Sequence, residues 1–405
     1  MTSGADGVDG QPAQAEDGAA VLAELMDLRA PQARYRGMVA LDVVEPVPGF
    51  AMAASRAAAD QVLRDPGAFS SEGFLDLGNT RPLIPLSVDP PKHVKYRKIL
   101  DPLFAPKEMD LAEDDITARV NHFIDRFADL GHCNFTDELA VPFPSAVFLG
   151  LMGLPWEELE TFLRLKDGIL RPGRVEGREL VDPAERMAIQ RATGAEVYAY
   201  FDAILDRRAA KPEADLLTRF LETEIDGERL TREEILDICF LFLIAGLDTV
   251  TDSLTCFFAF LAQHPDHRRM LAADPSLIPS AVEELLRWET PVPAVARMVT
   301  RDTAVCGHAM AAGTLVMVGV GAANVDEAEF PDAFDIRFDR DVNRHLAFGG
   351  GVHRCLGSHL ARRELRVALR EWHRRIPDYE LAPGTEQVYT PGLRSVENLQ
   401  LIWPR

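Results

Sequence analysis

Cysteine is scarce in this chain: Cys133, Cys239, Cys256, Cys306 and Cys355 are the only five in 405 residues, and no two form a C-x-x-C pair. A disulfide framework and a cysteine-rich zinc site are therefore not expected, and no second cysteine cluster could hold iron and sulfur. No glycine-rich nucleotide motif follows a strand pattern, so flavin and nicotinamide have no evident site. Positive charge is also short. Lys and Arg number 43 against 64 Asp and Glu, a formal charge of −21, which argues against nucleic acid or an anionic membrane surface as partner. An uninterrupted membrane-length apolar run is missing. Ile238 to Leu247 is wholly apolar and Cys256 to Ala262 is apolar again, but Asp248 and Asp252 lie between them. Each acid would cost about 2.5–3.5 kcal/mol in a bilayer, so a buried helix fits better than a span. Repeats and long linkers are absent as well. The first eighteen residues are polar, acidic and rich in Gly and Ala. They read as a disordered segment, not a signal or anchor, which leaves one domain over residues 19–405 in a cytoplasmic chain.

Apolar residues make up 47% of the sequence, enough for a large core, and they fall mostly in helical patterns. Strand-like stretches are short, as in Thr314 to Val320 and Leu399 to Trp403, and Pro172 to Leu180 reads as a flexible turn. The expected fold class is mainly α: one large helical domain with small β-sheets and a long central helix. That helix has a capping box at Thr231 and Glu234 and should run to about His264, where Pro265 stops it. At 1.5 Å per residue it would be roughly 50 Å long. Inside it stands Ala245-Gly246-Leu247-Asp248-Thr249. A glycine costs a helix interior about 1 kcal/mol, and a buried acid costs more unless partnered. Either the cluster does chemistry, or Thr249 bonds back to the Ala245 carbonyl and Asp248 pairs with a base elsewhere. Glu284 and Arg287, three apart, share one helix face.

Only Cys355 stands in a special setting, the run FGGGVHRCLGSHLA over residues 348–361. From Leu356 onward, apolar residues at Leu356, Leu360, Ala361, Leu365 and Leu369 give a helical stripe, which puts Cys355 at a helix N-terminus. Free N–H groups and the helix dipole there should lower the thiol pKa and support a thiolate that ligates a metal, haem iron being the metal this setting suits. Gly349, Gly350 and Gly351 would let the chain approach a flat cofactor, and Gly357 removes a side chain beside the sulfur. Two other readings stand beside this one: a small buried apolar residue, and a nucleophile paired with His353.

The pattern Phe348-x-x-Gly351-x-x-x-Cys355-x-Gly357-x-x-x-Ala361 resembles the haem-binding signature of cytochrome P-450 monooxygenases. The likeness runs from about Phe69 to the end and is densest after Thr231. The stretches GLDTV, IRFDR and NLQLIW look nearest to the camphor-hydroxylating bacterial branch, although the loop after Arg287 is about one residue longer. The resemblance implies the cytochrome P-450 fold and haem b, with Cys355 as axial thiolate and Phe348, Gly349 and Gly357 around it. It nominates His93, Arg97, Arg297 and His353 for the haem propionates, and arginine suits such buried carboxylates. It makes Gly246 the groove for dioxygen, Thr249 the donor to that oxygen and Asp248 the proton relay. Glu284 and Arg287 become a structural pair completed by Arg340 or Arg337.

By the same resemblance, Leu83, Ile84, Leu241, Ile244, Val292, Val295 and Leu393 line the substrate pocket, with Arg81 nearby to meet an acidic group or face water. The implied reaction is C–H hydroxylation of a hydrophobic compound with O2 as co-substrate: a terpenoid, fatty acid, steroid or aromatic hydrocarbon. With no reductase motif in the chain, electrons must come from a separate ferredoxin and its reductase. Arg344, Arg354, Arg362, Arg363, Arg366, Arg370, Arg374 and Arg375 form a basic stretch that would steer an acidic ferredoxin to a monomer. A haem-binding sensor or carrier would not need Asp248 and Thr249, and that pair also argues against a peroxide-driven peroxygenase.

Overall fold

The structure, a computed structural model, describes residues 30–405 except 74, 176–180, 226 and 391. The expected disordered segment over residues 1–18 and most of the Pro172 to Leu180 turn lie outside the described residues; Pro172–Val175 is a short helix. With 53% helix and 11% strand, the chain is mainly α with small sheets, as its periodicity predicts.

Six helices position the site: α1 (Lys92–Leu100), α2 (Leu159–Leu170), α3 (Arg232–Ala245), α4 (Asp248–Gln263), α5 (Ile278–Glu289) and α6 (Ser358–Arg375). The capping box opens α3: the Thr231 N–H donates to Glu234 Oε2 at 2.8 Å, and the Glu234 N–H donates to Thr231 Oγ1 at 3.2 Å. The chain leaves helix at Gln263, with Pro265 opening the next one.

The single helix expected from Thr231 to His264 is two. It breaks at Gly246 and Leu247, where Gly246 caps α3 and Leu247 has φ −110° and ψ −57°. The Thr249 hydroxyl donates to the Ala245 carbonyl at 3.3 Å, taking up an acceptor a continuous helix would give to a backbone N–H. Between their outer ends both halves are nearly all buried, but Ala245 is exposed and Gly246 and Thr249 are half-buried, so the break opens an accessible spot midway along an enclosed stretch.

The largest sheet has five strands: β1 (Val43–Val47), β2 (Phe50–Ala53), β3 (Phe69–Ser70), β4 (Val295–Val299) and β5 (Leu315–Val318), in the order β1-β2-β5-β4-β3. Only β2 and β5 pair in parallel. Arg297 lies on β4 with Val316 opposite, which fixes its side chain to one face of the sheet. The expected strand Leu399 to Trp403 shortens to Gln400–Ile402, in a separate three-stranded sheet. Among the described residues no helix is long and apolar enough to cross a membrane.

Candidate active site

Cys355 lies in a tight turn two residues before the Gly357 cap of α6, just ahead of the helix as the periodicity predicts, although the helix opens at Ser358 and not at Leu356. Its N–H donates to the Phe348 carbonyl at 2.9 Å, closing the turn. Gly351 has φ +63°, and a Cβ there would lie 1.9 Å from the Leu63 carbonyl oxygen, so only glycine fits. Gly349 has φ +65°. Gly357 has φ −80° and open space where a Cβ would go, so its backbone does not itself demand glycine.

The Cys355 side chain is accessible, yet protein surrounds it, and burial pushes its thiol up despite the Gly357 N–H and the guanidinium groups of Arg97, Arg354 and Arg362. The expectation of a lowered thiol pKa is corrected. The favourable dipole and charges are present, but in the protein alone desolvation outweighs them. A coordinated metal would ionise the sulfur outright. The accessibility of Cys355 sets it apart from the buried Cys133, Cys239 and Cys256.

Around this turn the structure gathers the four nominated cationic residues. The His93 ring on α1 and the His353 ring lie 4.4 Å apart, and Arg97 Nη1 donates to the Arg354 carbonyl at 2.8 Å. Their partners are too few. His93 Nε2 and His353 Nε2 are buried without a hydrogen bond, the nearest acid to His353 being Asp89 at 3.6 Å. Arg297, 7% exposed, donates to the carbonyl of its own neighbour Ala296. Arg97 alone has a close acid, Asp101 at 2.7 Å. Burial holds Arg297 below its ordinary value; burial and then His93 and Arg297 push His353 down to about 4. Buried donors that repel one another and lack acceptors suit a dianionic ligand, and beside an accessible cysteine the two propionates of haem fit that need.

Behind the turn, Glu284 is fully buried and accepts from four groups. Arg287 bonds it twice, at 2.9 and 2.8 Å, and Asn343 Nδ2 reaches it at 2.9 Å. Arg340 Nε donates at 3.0 Å, whereas Arg337 gives only its backbone N–H, at 3.0 Å, and turns its side chain to Asp332 and Asp339. Of the two candidates, it is therefore the Arg340 side chain that reaches the pair. Next to it, Glu283 takes a bidentate grip from Arg362, with contacts of 2.8 to 3.0 Å, and the Arg362 guanidinium lies 4.3 Å from the centroid of the Phe348 ring. Glu283 has no sequence signature beyond its neighbour.

Asp248 has found its base. Lys166 Nζ on α2 donates to Asp248 Oδ1 at 2.6 Å within the core, and Arg171 Nη2, from a half-buried side chain, lies 3.1 Å from Oδ2. Neither cation is marked in the sequence as a partner of Asp248. The available signal was Lys166 itself, placed four residues after Phe162 and three before Ile169 on the buried face of α2. At Gly246 a Cβ would come 3.0 Å from the Phe242 carbonyl and 3.7 Å from the Phe148 ring, so even alanine would crowd the break.

The pocket candidates are not one group. Leu83, Ile84, Leu241 and Ile244 belong to the main apolar core, Val295 packs on the core of the five-stranded sheet, and Val292 and Leu393 are half-buried. Arg81 meets neither water alone nor a free acidic group: its Nε donates to both Asp237 oxygens at 3.0 and 2.9 Å, and its guanidinium lies 4.8 Å from the centroid of the Tyr198 ring. The basic stretch is largely neutralised. Arg362 and Arg366 pair with Glu283, Arg363 with Asp110 and Glu113, Arg370 with Glu113 and Glu371, Arg374 with Glu371 and Arg375 with Asp125. Among the described residues, Arg344 and Arg354 are exposed with no carboxylate in reach.

Comparison with protein families matches residues 195–375 to the family described as Cytochrome P-450. The chain is 35% identical to the steroid C26-monooxygenase of Mycobacterium tuberculosis, covering 87% of this chain and 88% of that one. It is 31% identical to the methyl-branched lipid omega-hydroxylase of Mycobacterium bovis, over 84% and 81% of the two chains. In fold it is similar to the crystal structure of CYP109E1 from Bacillus megaterium in complex with testosterone, with TM-score 0.83 and 27% identity over 93% and 99% of the chains. These relatives do not single out the camphor-hydroxylating branch.

Proposed function

The chain belongs to the cytochrome P-450 family, and from that premise we propose how its own residues serve the reaction. It is a monooxygenase that inserts one atom of O2 into a hydrophobic small molecule. The observation that carries the assignment of residues is the buried, acceptor-poor set His93, His353 and Arg297 beside the accessible Cys355. When bound, haem b activates O2, and thiolate ligation favours O–O cleavage over reversible oxygen storage.

Cys355 would supply the thiolate that holds the haem iron, seated by the turn between Phe348 and Gly357, with Gly349 and Gly351 bending the chain. Arg97, Arg354 and Arg362 favour its ionised sulfur. His93, Arg97, Arg297 and His353 would hold the propionates. The break at Gly246 leaves room for dioxygen, and the Thr249 hydroxyl, leaving its 3.3 Å bond to Ala245, donates there. Asp248 supplies the proton once its ion pairs loosen. Glu284, Arg287 and Arg340 brace the turn. Leu83, Ile84, Leu241, Ile244, Val292, Val295 and Leu393 exclude water and accept an apolar substrate of the steroid or lipid kind that the relatives' names carry, for C–H hydroxylation. A separate acidic ferredoxin docks near Arg344 and Arg354, exposed arginines with no carboxylate in reach among the described residues. The protein works as a cytoplasmic monomer whose single catalytic domain spans residues 19–405.

The test is spectroscopic. Reduced, carbon monoxide-treated protein shows the red-shifted absorption of thiolate ligation, and Cys355→His abolishes it; persistence of that band in the variant would remove Cys355 as ligand. Turnover with a ferredoxin system but not with hydrogen peroxide separates a monooxygenase from a peroxygenase. Absence of both identifies a haem carrier.

A further inference from the structure

One turn after Asp248, a second acid lies in the core of α4. Asp252 is fully buried, and neither of its carboxylate oxygens has a hydrogen-bond partner. The ion cluster beside it explains why. Two cations, Lys166 and Arg171, face three carboxylates: Asp248 takes both cations at 2.6 and 3.1 Å, Asp167 lies 3.3 Å from Lys166, and Asp252 lies 3.9 Å from the same Arg171 nitrogen that Asp248 holds. Asp248 and Asp167 already balance the two cations, so an ionised Asp252 would add a negative charge with no cation of its own. The other groups bearing on this cluster are the Ser395 hydroxyl, which favours the ionised form of Asp252, and Glu397, which acts on Arg171. Burial first and Asp248 second push the Asp252 carboxyl up to about 8.

We propose that Asp252 is a positioning residue for proton delivery: as a neutral acid it leaves Arg171 to Asp248, and on losing its proton it draws Arg171 away, freeing Asp248 to turn toward Thr249. The step is a proton loss and an exchange of ion partners. The Asp252 O–H bond breaks, the proton leaves by the partly exposed edge formed by Asp167 and Arg171, and no electron moves. This role rests on the monooxygenase reading for its consequence but not for its first readout.

That first readout is the infrared carbonyl band of a protonated carboxylic acid. It should be present in the resting protein at neutral pH, disappear through about 8, and be missing in Asp252→Asn. Its absence from the unmutated protein overturns the proposal. The second is product formed per reductant consumed as a function of pH. The ratio should rise over the same interval in the unmutated protein, stay flat at its low-pH level in Asp252→Asn, and regain the rise in Asp252→Glu. An Asp252→Asn protein that keeps the rise overturns the proposal, because a merely structural residue would lower yield or affinity without removing that limb. Should Asp252→Asn not fold, Arg171→Gln serves: the rise is lost while the infrared band persists, and a retained rise again overturns the proposal. If the unmutated protein gives the band but neither the thiolate spectrum nor any product, it is the monooxygenase reading that fails.

Discussion

At the scale of single residues, Asp248 and Thr249 show how neighbours on one helix turn take up opposite conditions. Thr249 is accessible and bonded only to the Ala245 carbonyl at 3.3 Å, a weak bond at the limit of good geometry. Asp248 is enclosed and held by two cations. Thr249→Ala should therefore leave the fold intact and act on chemistry: reductant is still consumed, but peroxide is released in place of product. Unchanged coupling, measured as product per reductant, would remove Thr249 from proton delivery. Lys166 gives the opposite prediction. It is fully buried, and Lys166→Met would leave Asp248 partly unpaired in the core, so denaturant unfolding should show a loss of about 3–5 kcal/mol. Thr249, Asp248 and Cys355 were legible because their residue types sit where packing alone would not place them. Lys166 was hidden because a lysine among Phe162, Leu165 and Ile169 looks like a flaw in a helical stripe until its partner, 82 positions away in sequence, is known.

At the scale of elements, α5 carries two adjacent acids that do different work, one holding a loop and the other holding α6. Glu284 gathers Arg287, Arg340, Asn343 and the Arg337 N–H, so Glu284→Ala should unfix the stretch leading to Cys355, and the holoprotein should lose haem on gel filtration. Glu283 joins the helices through Arg362. His345 Nδ1 accepts from the Ala347 N–H at 3.1 Å, which places the neutral imidazole's proton on Nε2, from where it donates to Glu283 at 3.1 Å. Burial alone would raise the Glu283 carboxyl, but His345 and Arg362 outweigh it and hold it down at about 2, against an ordinary 4.5. A depressed carboxyl contributes stability above its unfolded value and loses it as the acid form takes over. Between pH 4.5 and about 2 the protein should thus lose stability faster than Glu283→Gln does, by up to about 3 kcal/mol, as read from denaturant midpoints across that range. The start and end of the long apolar helix were legible from Thr231, Glu234 and Pro265, whose effects are local. The break was not, because a lone glycine in a helical stripe does not by itself end a helix, and the Phe148 ring that a side chain at Gly246 would meet lies far away in sequence.

At the scale of the whole molecule, a formal charge of −21 opposes the approach of the acidic ferredoxin proposed above as electron donor. Counting charges along residues 343–377 overstates the remedy, because most of those arginines are spent on acids from distant segments such as Asp110, Glu113 and Asp125. What remains is local. Arg344 and Arg354 are exposed and unpaired among the described residues, Arg354 next to Cys355 in sequence and just ahead of the turn that opens α6. Charges outside a contact act mainly on encounter, and over separations of about 8 Å they are screened at physiological salt. The double variant Arg344→Glu/Arg354→Glu should consequently slow the second-order reduction by an acidic ferredoxin at low salt by about tenfold or more, with the gap to the unmutated protein closing as salt rises. Stopped-flow reduction across an ionic-strength series reads both quantities. Reduction by dithionite, which needs no docked protein, should stay the same in both proteins, and a slower dithionite rate would point to a damaged site instead of a lost docking charge. A salt-independent loss would place the ferredoxin elsewhere on this acidic surface.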